Sequence, residues 1–167
     1  GYEDPFDEVE GLRDHVAFYW DGMDRWLEED EEVFVHARDP HKRIDTVASE
    51  RPVRVVVGGE TVAETTRALY LFETGLPTRY YIPWEDVRMD PLKPSARESA
   101  CPYKGTANYW SVRAGEGRFE DLVWYYADPL PEVGRIKDYL CFFNERVDAI
   151  YVDGTLVPKV KTPWSTD

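Results

Sequence analysis

The segment Cys101-Pro102-Tyr103-Lys104-Gly105 concentrates a thiol, a phenol and a primary amine in a few residues of chain. Pro102 stiffens the backbone there, and Gly105, with no Cβ, lets a ligand approach the main chain closely. In such a loop Lys104 can bind an anion or, if desolvated, act as a base or an imine-forming amine. The same residue types also describe a strand-end loop in which Cys101 and Tyr103 are buried and Lys104 is solvated. A second group, Arg67, Glu73, Arg79, Tyr80, Tyr81, Glu85 and Arg88, sets charges among aromatic residues. Strand alternation puts Arg79 and Tyr81 on one face and Tyr80 on the other. Arg67, Glu73 and Arg79 read equally well as cross-strand ion pairs, each contributing ~0.2–1 kcal/mol.

What is missing narrows the chemistry. His15, His36 and His41 all precede residue 52, so a module starting there contains no histidine. That removes Ser-His-Asp and Cys-His nucleophile pairs, histidine metal sites and the usual neutral-pH general base from it. No phosphate-binding Gly-x-x-x-x-Gly-Lys loop and no Gly-x-Gly-x-x-Gly turn occurs. The two cysteines, Cys101 and Cys141, lack the paired spacing of a zinc site and are expected as reduced thiols. No metal and no cofactor is expected.

The formal charge of −13 would suit a protein that avoids phosphate backbones, but it is unevenly placed. Residues 1–50 carry sixteen Asp and Glu against five Lys and Arg, and the remainder seventeen against fifteen. The later part is therefore near neutral and has no basic stripe for nucleic acid, and the acidic run 28–32 reads as a solvated face. With no apolar stretch of membrane-spanning length and no signal-like N-terminus, the chain is expected to be soluble and cytoplasmic, with no membrane partner.

The elements that would position these residues are mostly strands. Val53–Val57 and Thr61–Thr66 flank Gly58-Gly59 as a hairpin, and Ala68–Glu73 and Thr78–Ile82 follow as strands. Residues 84–90 read as a single helical turn and 91–102 as a proline-punctuated loop. Thr106–Arg113 and Phe119–Tyr126 form a second hairpin around 114–117, with Trp110 and Trp124 as core residues. A short helix is expected from Pro131, then strands at 139–143 and 149–152. The fold class is mainly β: a compact antiparallel module with one or two short helices.

An ungapped internal repeat sets the organisation. Residues 4–33 match residues 128–157: Asp4-Pro5 with Asp128-Pro129, Glu8-Val9 with Glu132-Val133, Asp14 with Asp138, Phe18 with Phe142, Asp24 with Asp148, and Val33 with Val157. We therefore expect residues 1–35 to be the orphan tail of a preceding copy, 36–51 a linker and 52–167 a complete module. On this reading the chain opens in mid-module and the intact product extends upstream. Val16, Phe18, Trp20 and Trp26 of the tail then need a surface, on their own module or on a neighbouring chain.

From Val53 onward the sequence resembles the bacterial domain-of-unknown-function family numbered 427, also labelled nucleotidyltransferase-like. The resemblance rests on Val55-Val56-Val57-Gly58-Gly59-Glu60-Thr61-Val62-Ala63, Leu71-Phe72-Glu73-Thr74, Tyr80-Tyr81-Ile82-Pro83, Asp86-Val87-Arg88-Met89, Cys101-Pro102-Tyr103-Lys104-Gly105, Tyr109-Trp110-Ser111-Val112 and Trp124-Tyr125-Tyr126. It implies a compact β fold similar to the beta-tent group of zinc-binding and reductase domains, without an established activity. Because 101–105 is a signature stretch, it implies a ligand or reactive pocket there. Lys104 would be the anion-binding or reacting amine, Tyr103 a hydrogen-bond partner, and Glu73 with Arg88 wall residues, alongside the strand carrying Arg79 and Tyr81. Cys101 would need Lys104 or a helix end to be activated as a nucleophile. Two functions follow: a small-molecule binding or enzymatic domain with a pocket at this loop, or a structural interaction module working as a tandem pair.

Overall fold

The structure, a computed structural model, describes residues 11–13 and 15–166. Two compact units divide the chain, Gly1–Ala37 and Arg38–Asp167. The repeat matches at Asp4-Pro5, Glu8-Val9 and Asp14 lie outside the described residues. The larger unit is antiparallel β throughout, with 3-10 turns as its only described helical elements.

Its seven-stranded sheet comprises β3 (Ile44–Ser49), β6 (Ala68–Glu73), β7 (Arg79–Pro83), β8 (Leu92–Cys101), β9 (Gly105–Ala114), β10 (Gly117–Tyr126) and β11 (Tyr139–Phe142). They are ordered β3-β6-β7-β11-β10-β9-β8. A four-stranded sheet comprises β4 (Val53–Val57), β5 (Glu60–Thr65), β12 (Ala149–Val152) and β13 (Thr155–Leu156), ordered β13-β12-β4-β5. Sequence chemistry accounts for most of this. In β4 the β-branched run buries Val53, Val55 and Val57 on one face. Gly58 and Gly59, at φ 59° and 77°, supply the two left-handed residues of a tight hairpin turn. A Cβ on Gly58 would lie 2.3 Å from the Ala114 carbonyl oxygen, so the tips of the β4–β5 and β9–β10 hairpins interlock at this glycine.

Three expectations need correction. The stretch 36–51, expected as linker, contains β3, which pairs along its whole length with β6 from Ile44↔Glu73 to Ser49↔Ala68. Its half-exposed edge position lets it carry polar residues that mask the strand pattern. The expected loop 91–102 is the ten-residue strand β8. Pro94 is tolerated because β8 is the far edge of the sheet and its register with β9 shifts between Pro94 and Glu98. The helix expected from Pro131 is a 3-10 element over Pro131–Ile136, interrupted by non-helical backbone at Val133, which buries Val133 and Ile136.

Register decides what shares a face. Leu71 opposes Arg79, Cys141 opposes both Tyr81 and Trp124, Trp124 opposes Tyr109, and Tyr126 opposes Ala107. With the two-residue period, Glu73, Arg79, Tyr81, Cys141, Trp124, Tyr126, Tyr109 and Cys101 therefore lie on one face. The opposite face carries Tyr70 packed edge-on against Tyr80, and Trp84, Trp110 and Tyr125 in mutual ring contact.

The N-terminal unit contains the hairpin β1 (Leu27–Glu28) and β2 (Glu31–Glu32) after a 3-10 turn at Trp20–Gly22. Trp20 stacks on Trp26 at 4.8 Å and 10° between planes, and the Trp26 Nε1–H donates to the Trp20 carbonyl. Among the described residues no helix is long and apolar enough to cross a membrane.

Candidate functional site

The turn between β8 and β9 puts Lys104 in place. Its amide donates to the Cys101 carbonyl at 3.2 Å, and its carbonyl accepts from the Leu130 amide at 3.1 Å. Gly105 has φ 96°, and a Cβ there would come within 3.2 Å of the Asp128 carbonyl. The glycine expected to admit a ligand thus admits the segment 128–130, which packs over the turn and holds Lys104 beneath it.

The Lys104 side chain turns inward. Residue 104 is 8% exposed, and its Nζ donates to Glu73 Oε2 at 2.5 Å. The other carboxylate oxygen, Oε1, receives Lys42 Nζ at 3.2 Å. Glu73 is itself buried, at the end of β6. Lys42 arrives from the turn before β3 and also lies over the Tyr103 ring, 5.1 Å from its centroid. Buried Tyr103 accepts the Asp39 amide hydrogen on its hydroxyl at 2.7 Å, which fixes the segment carrying Lys42. Two ammonium groups therefore share one carboxylate, leaving one positive charge in excess.

Cys101, a free and half-buried thiol, lies at the end of β8 beside this cluster. Burial holds the Tyr126 phenol well above its ordinary value, reinforced by neighbouring acidic groups including Cys101 and Glu73. Burial likewise pushes the Cys141 thiol far up, partly opposed by Arg79 and Lys104, so Cys141 is a packing residue rather than a nucleophile.

Arg79 and Tyr81 share the sheet face but are already engaged. Arg79 forms a fork with Glu145, Nη1 to Oε2 at 2.6 Å and Nη2 to Oε1 at 2.9 Å, in a pair almost wholly buried. The rings of Trp124, Phe143 and Trp164 surround the guanidinium at 5.4–5.8 Å. The Tyr81 hydroxyl accepts from Trp124 Nε1 at 3.1 Å. Burial raises the Glu145 carboxyl, but hydrogen bonds from Arg79 and Thr162 outweigh it and leave the group below its usual range.

Of the two expected wall residues, Glu73 holds Lys104 and Lys42, and Arg88 is engaged elsewhere. Arg88 is exposed and bonds Glu60 Oε2 and the Thr61 carbonyl, both at 3.2 Å, in the four-stranded sheet. The cross-strand pairs proposed among Arg67, Glu73 and Arg79 are also replaced, with Arg67 bound to Asp86, Glu73 to Lys104 and Lys42, and Arg79 to Glu145. Sequence reasoning thus assembled Cys101, Tyr103, Lys104 and Glu73 and missed Lys42, Asp39, Tyr126 and Glu145. Lys42 and Asp39 were hidden because they sit in the stretch taken as linker. His41, assigned to the same stretch, belongs to the larger unit and is exposed, so the unit has an imidazole after all. Chemically, the cluster can attract an anion to Lys104 and Lys42.

A search of curated proteins finds no match to the chain. A family profile matches residues 45–153, a span that runs from β3 to the turn after β12, includes Glu73 and residues 101–105, and leaves out Asp39 and Lys42. That profile, NTP_transf_9, carries the description "Domain of unknown function (DUF427)", and the chain belongs to this family.

Proposed function

We propose that the larger unit binds a small anionic molecule at the cluster of Lys104, Glu73, Lys42, Tyr103 and Cys101. One observation carries this reading: two ammonium groups converge on a single buried carboxylate, so the cluster has a surplus cation to offer. A purely structural pair would need only one lysine, so the second brings a positive charge that a ligand anion can neutralise. A carboxylate or phosphate ligand supplies that neutralisation. Lys42, partly exposed, is the member a ligand would reach first; Lys104 would complete the contact from below.

The test is a thermal-shift series on the intact chain and on Lys42→Met, which leaves the Lys104–Glu73 pair in place. Small carboxylates, sugar phosphates and nucleotides serve as ligands. A ligand at ~100 times its Kd adds ~2.7 kcal/mol, a shift of several degrees for a domain of this size. The expected result is a ligand that raises the Tm of the wild type and loses that effect in Lys42→Met. A panel without effect, or one that stabilises both proteins equally, overturns the reading.

The alternative, an interaction module working with a second copy of itself, is favoured by a different observation. Residues 15–35 expose Val16, Phe18, Tyr19, Met23, Leu27, Phe34 and Val35.

A further inference from the structure

The Lys104–Glu73 pair joins parts of the seven-stranded sheet that its strand order keeps apart. Glu73 ends β6, Lys104 sits in the turn before β9, and β7, β11 and β10 lie between them. Neighbouring strands are about 4.8 Å apart, so a flat sheet would separate β6 from β9 by about 19 Å, far beyond the reach of a lysine side chain. The sheet must therefore curl, and the face carrying Glu73, Tyr126, Tyr109 and Cys101 is its concave side. The ion pair closes across that concavity.

Most phenols around it are engaged. Tyr103 accepts from the Asp39 amide, Tyr81 accepts from Trp124, and Tyr109 shares a hydrogen bond of 2.7 Å with the Ser99 hydroxyl. Tyr126 differs: it is 4% exposed, yet its hydroxyl has no hydrogen-bond partner among the described residues. A buried polar group without a partner is costly. The unpartnered atoms fully shut off from solvent are the Tyr70 hydroxyl and Trp110 Nε1, and the Tyr126 hydroxyl is not among them, so it opens onto space that a small molecule can enter. Across the ladder its neighbours are Ala107 and then Ser99, small side chains that leave room beside the ring. Cys101 and Glu73 are close enough to act, together with burial, on the ionisation of this phenol.

We infer that Tyr126 is the inner, specificity-setting contact of the anion site and that the ligand is a short oxo acid, its carboxylate on Lys42 and Lys104 and its oxo oxygen accepting from the Tyr126 hydroxyl. This rests on the anion-binding reading given above. The polar groups of the cluster favour an oxo group over a hydroxyl. Both Glu73 oxygens are taken by lysines, and burial keeps the Tyr126 phenol protonated, so the site presents donors. A ligand hydroxyl would bring a proton that finds no free carboxylate, whereas an oxo oxygen brings only lone pairs. The acid is short because the buried pair Trp124 and Tyr109 fills the next position along β10 and β9. Lys42 and Cys101, both partly exposed, mark the way in.

The test is an NMR titration of the intact chain with pyruvate, lactate and propionate, acids of equal length that differ only in the group beside the carboxylate. Wild type, Tyr126→Phe and Lys42→Met are compared. The expected result is that wild type binds pyruvate about tenfold more tightly than propionate, the worth of one good hydrogen bond. Tyr126→Phe should erase that preference and leave propionate binding unchanged. Its Tm should stay the same or rise, since the substitution deletes a hydroxyl that has no protein partner. Equal affinity for the three acids in wild type, a preference that survives Tyr126→Phe, or lactate bound as tightly as pyruvate overturns the inference. If Lys42→Met still weakens all three acids, the anion site itself stands. A fall in the Tm of Tyr126→Phe by several degrees also overturns it, because the hydroxyl would then be serving the fold. Failure of all three acids to bind, or binding indifferent to Lys42→Met, removes the anion site and this inference with it.

Discussion

At the scale of single residues, Glu73 organises the site, because its two oxygens are what hold Lys104 and Lys42 close together. Removing one partner of a buried pair leaves the other uncompensated. Glu73→Leu, which leaves Lys104 buried without a counter-charge, should therefore lower unfolding stability by about 3–5 kcal/mol, and adding Lys104→Met to it should recover much of the loss. Urea titrations of the single and double variants measure this, and a double variant no more stable than the single would refute the pairing as the cause. Lys104, Tyr103, Cys101 and Glu73 were legible in the sequence because an amine, a phenol and a thiol stand within one short turn, and because acidic Glu73 ends an apolar strand. Lys42 was not legible. Its contact with Glu73 spans a long stretch of sequence and depends on β3 pairing with β6, which no local pattern announces. Arg79 was read as a cross-strand pairing or ligand-binding residue; its partner Glu145 lies far along the chain, and only the folded sheet brings them together.

At the scale of elements, hairpins were the most legible features. The Gly58-Gly59 and 114–117 turns announce themselves through glycine, and the flanking strands through β-branched and aromatic residues. The edges were the least legible. β3 and β8 bury little, so nothing forces the alternation that marks an inner strand, and Pro94 within β8, with Pro91 and Pro102 flanking it, reads as loop punctuation. The interlocked hairpin tips give a sharp prediction. Gly58→Ala meets both a left-handed φ and the Ala114 carbonyl, so it should cost about 2 kcal/mol or more. Gly59→Asn is the matched control: φ is also positive, but nothing stands within 4 Å, and asparagine tolerates this region, so the cost should stay within about 1 kcal/mol. Equal losses in the two variants, read from urea midpoints, would show that backbone conformation alone matters there and that the tips do not interlock.

At the scale of the whole molecule, buried titratable groups set the pH range of stability. Glu145 is held below its ordinary value as described, and hydrogen bonds from Arg67, with Thr65 assisting, hold Asp86 below its own. For lowered carboxyls the stabilisation is full above the unfolded values, ~4, and is lost as pH falls through the folded ones, so urea midpoints should drop on the acid side. Tyr81, Tyr126 and Cys141 are raised by burial. Their contribution is full below the unfolded values, ~8.5 for the thiol and ~10 for the phenols, and disappears as pH climbs past them. Midpoints measured from acid to alkaline pH should form a plateau with both limbs falling, and Cys141→Ala should delay the start of the alkaline limb. A midpoint constant to pH ~11 would mean that these groups are not buried in solution. The division of the chain into two units has an optical counterpart. Trp20 and Trp26 lie nearly parallel and in contact, so their excited states couple and give the N-terminal unit a circular-dichroism signature of its own. Trp124, donating to Tyr81 in the core, reports on the larger unit instead. One sample, observed through two chromophore sets, can therefore follow the melting of each unit separately.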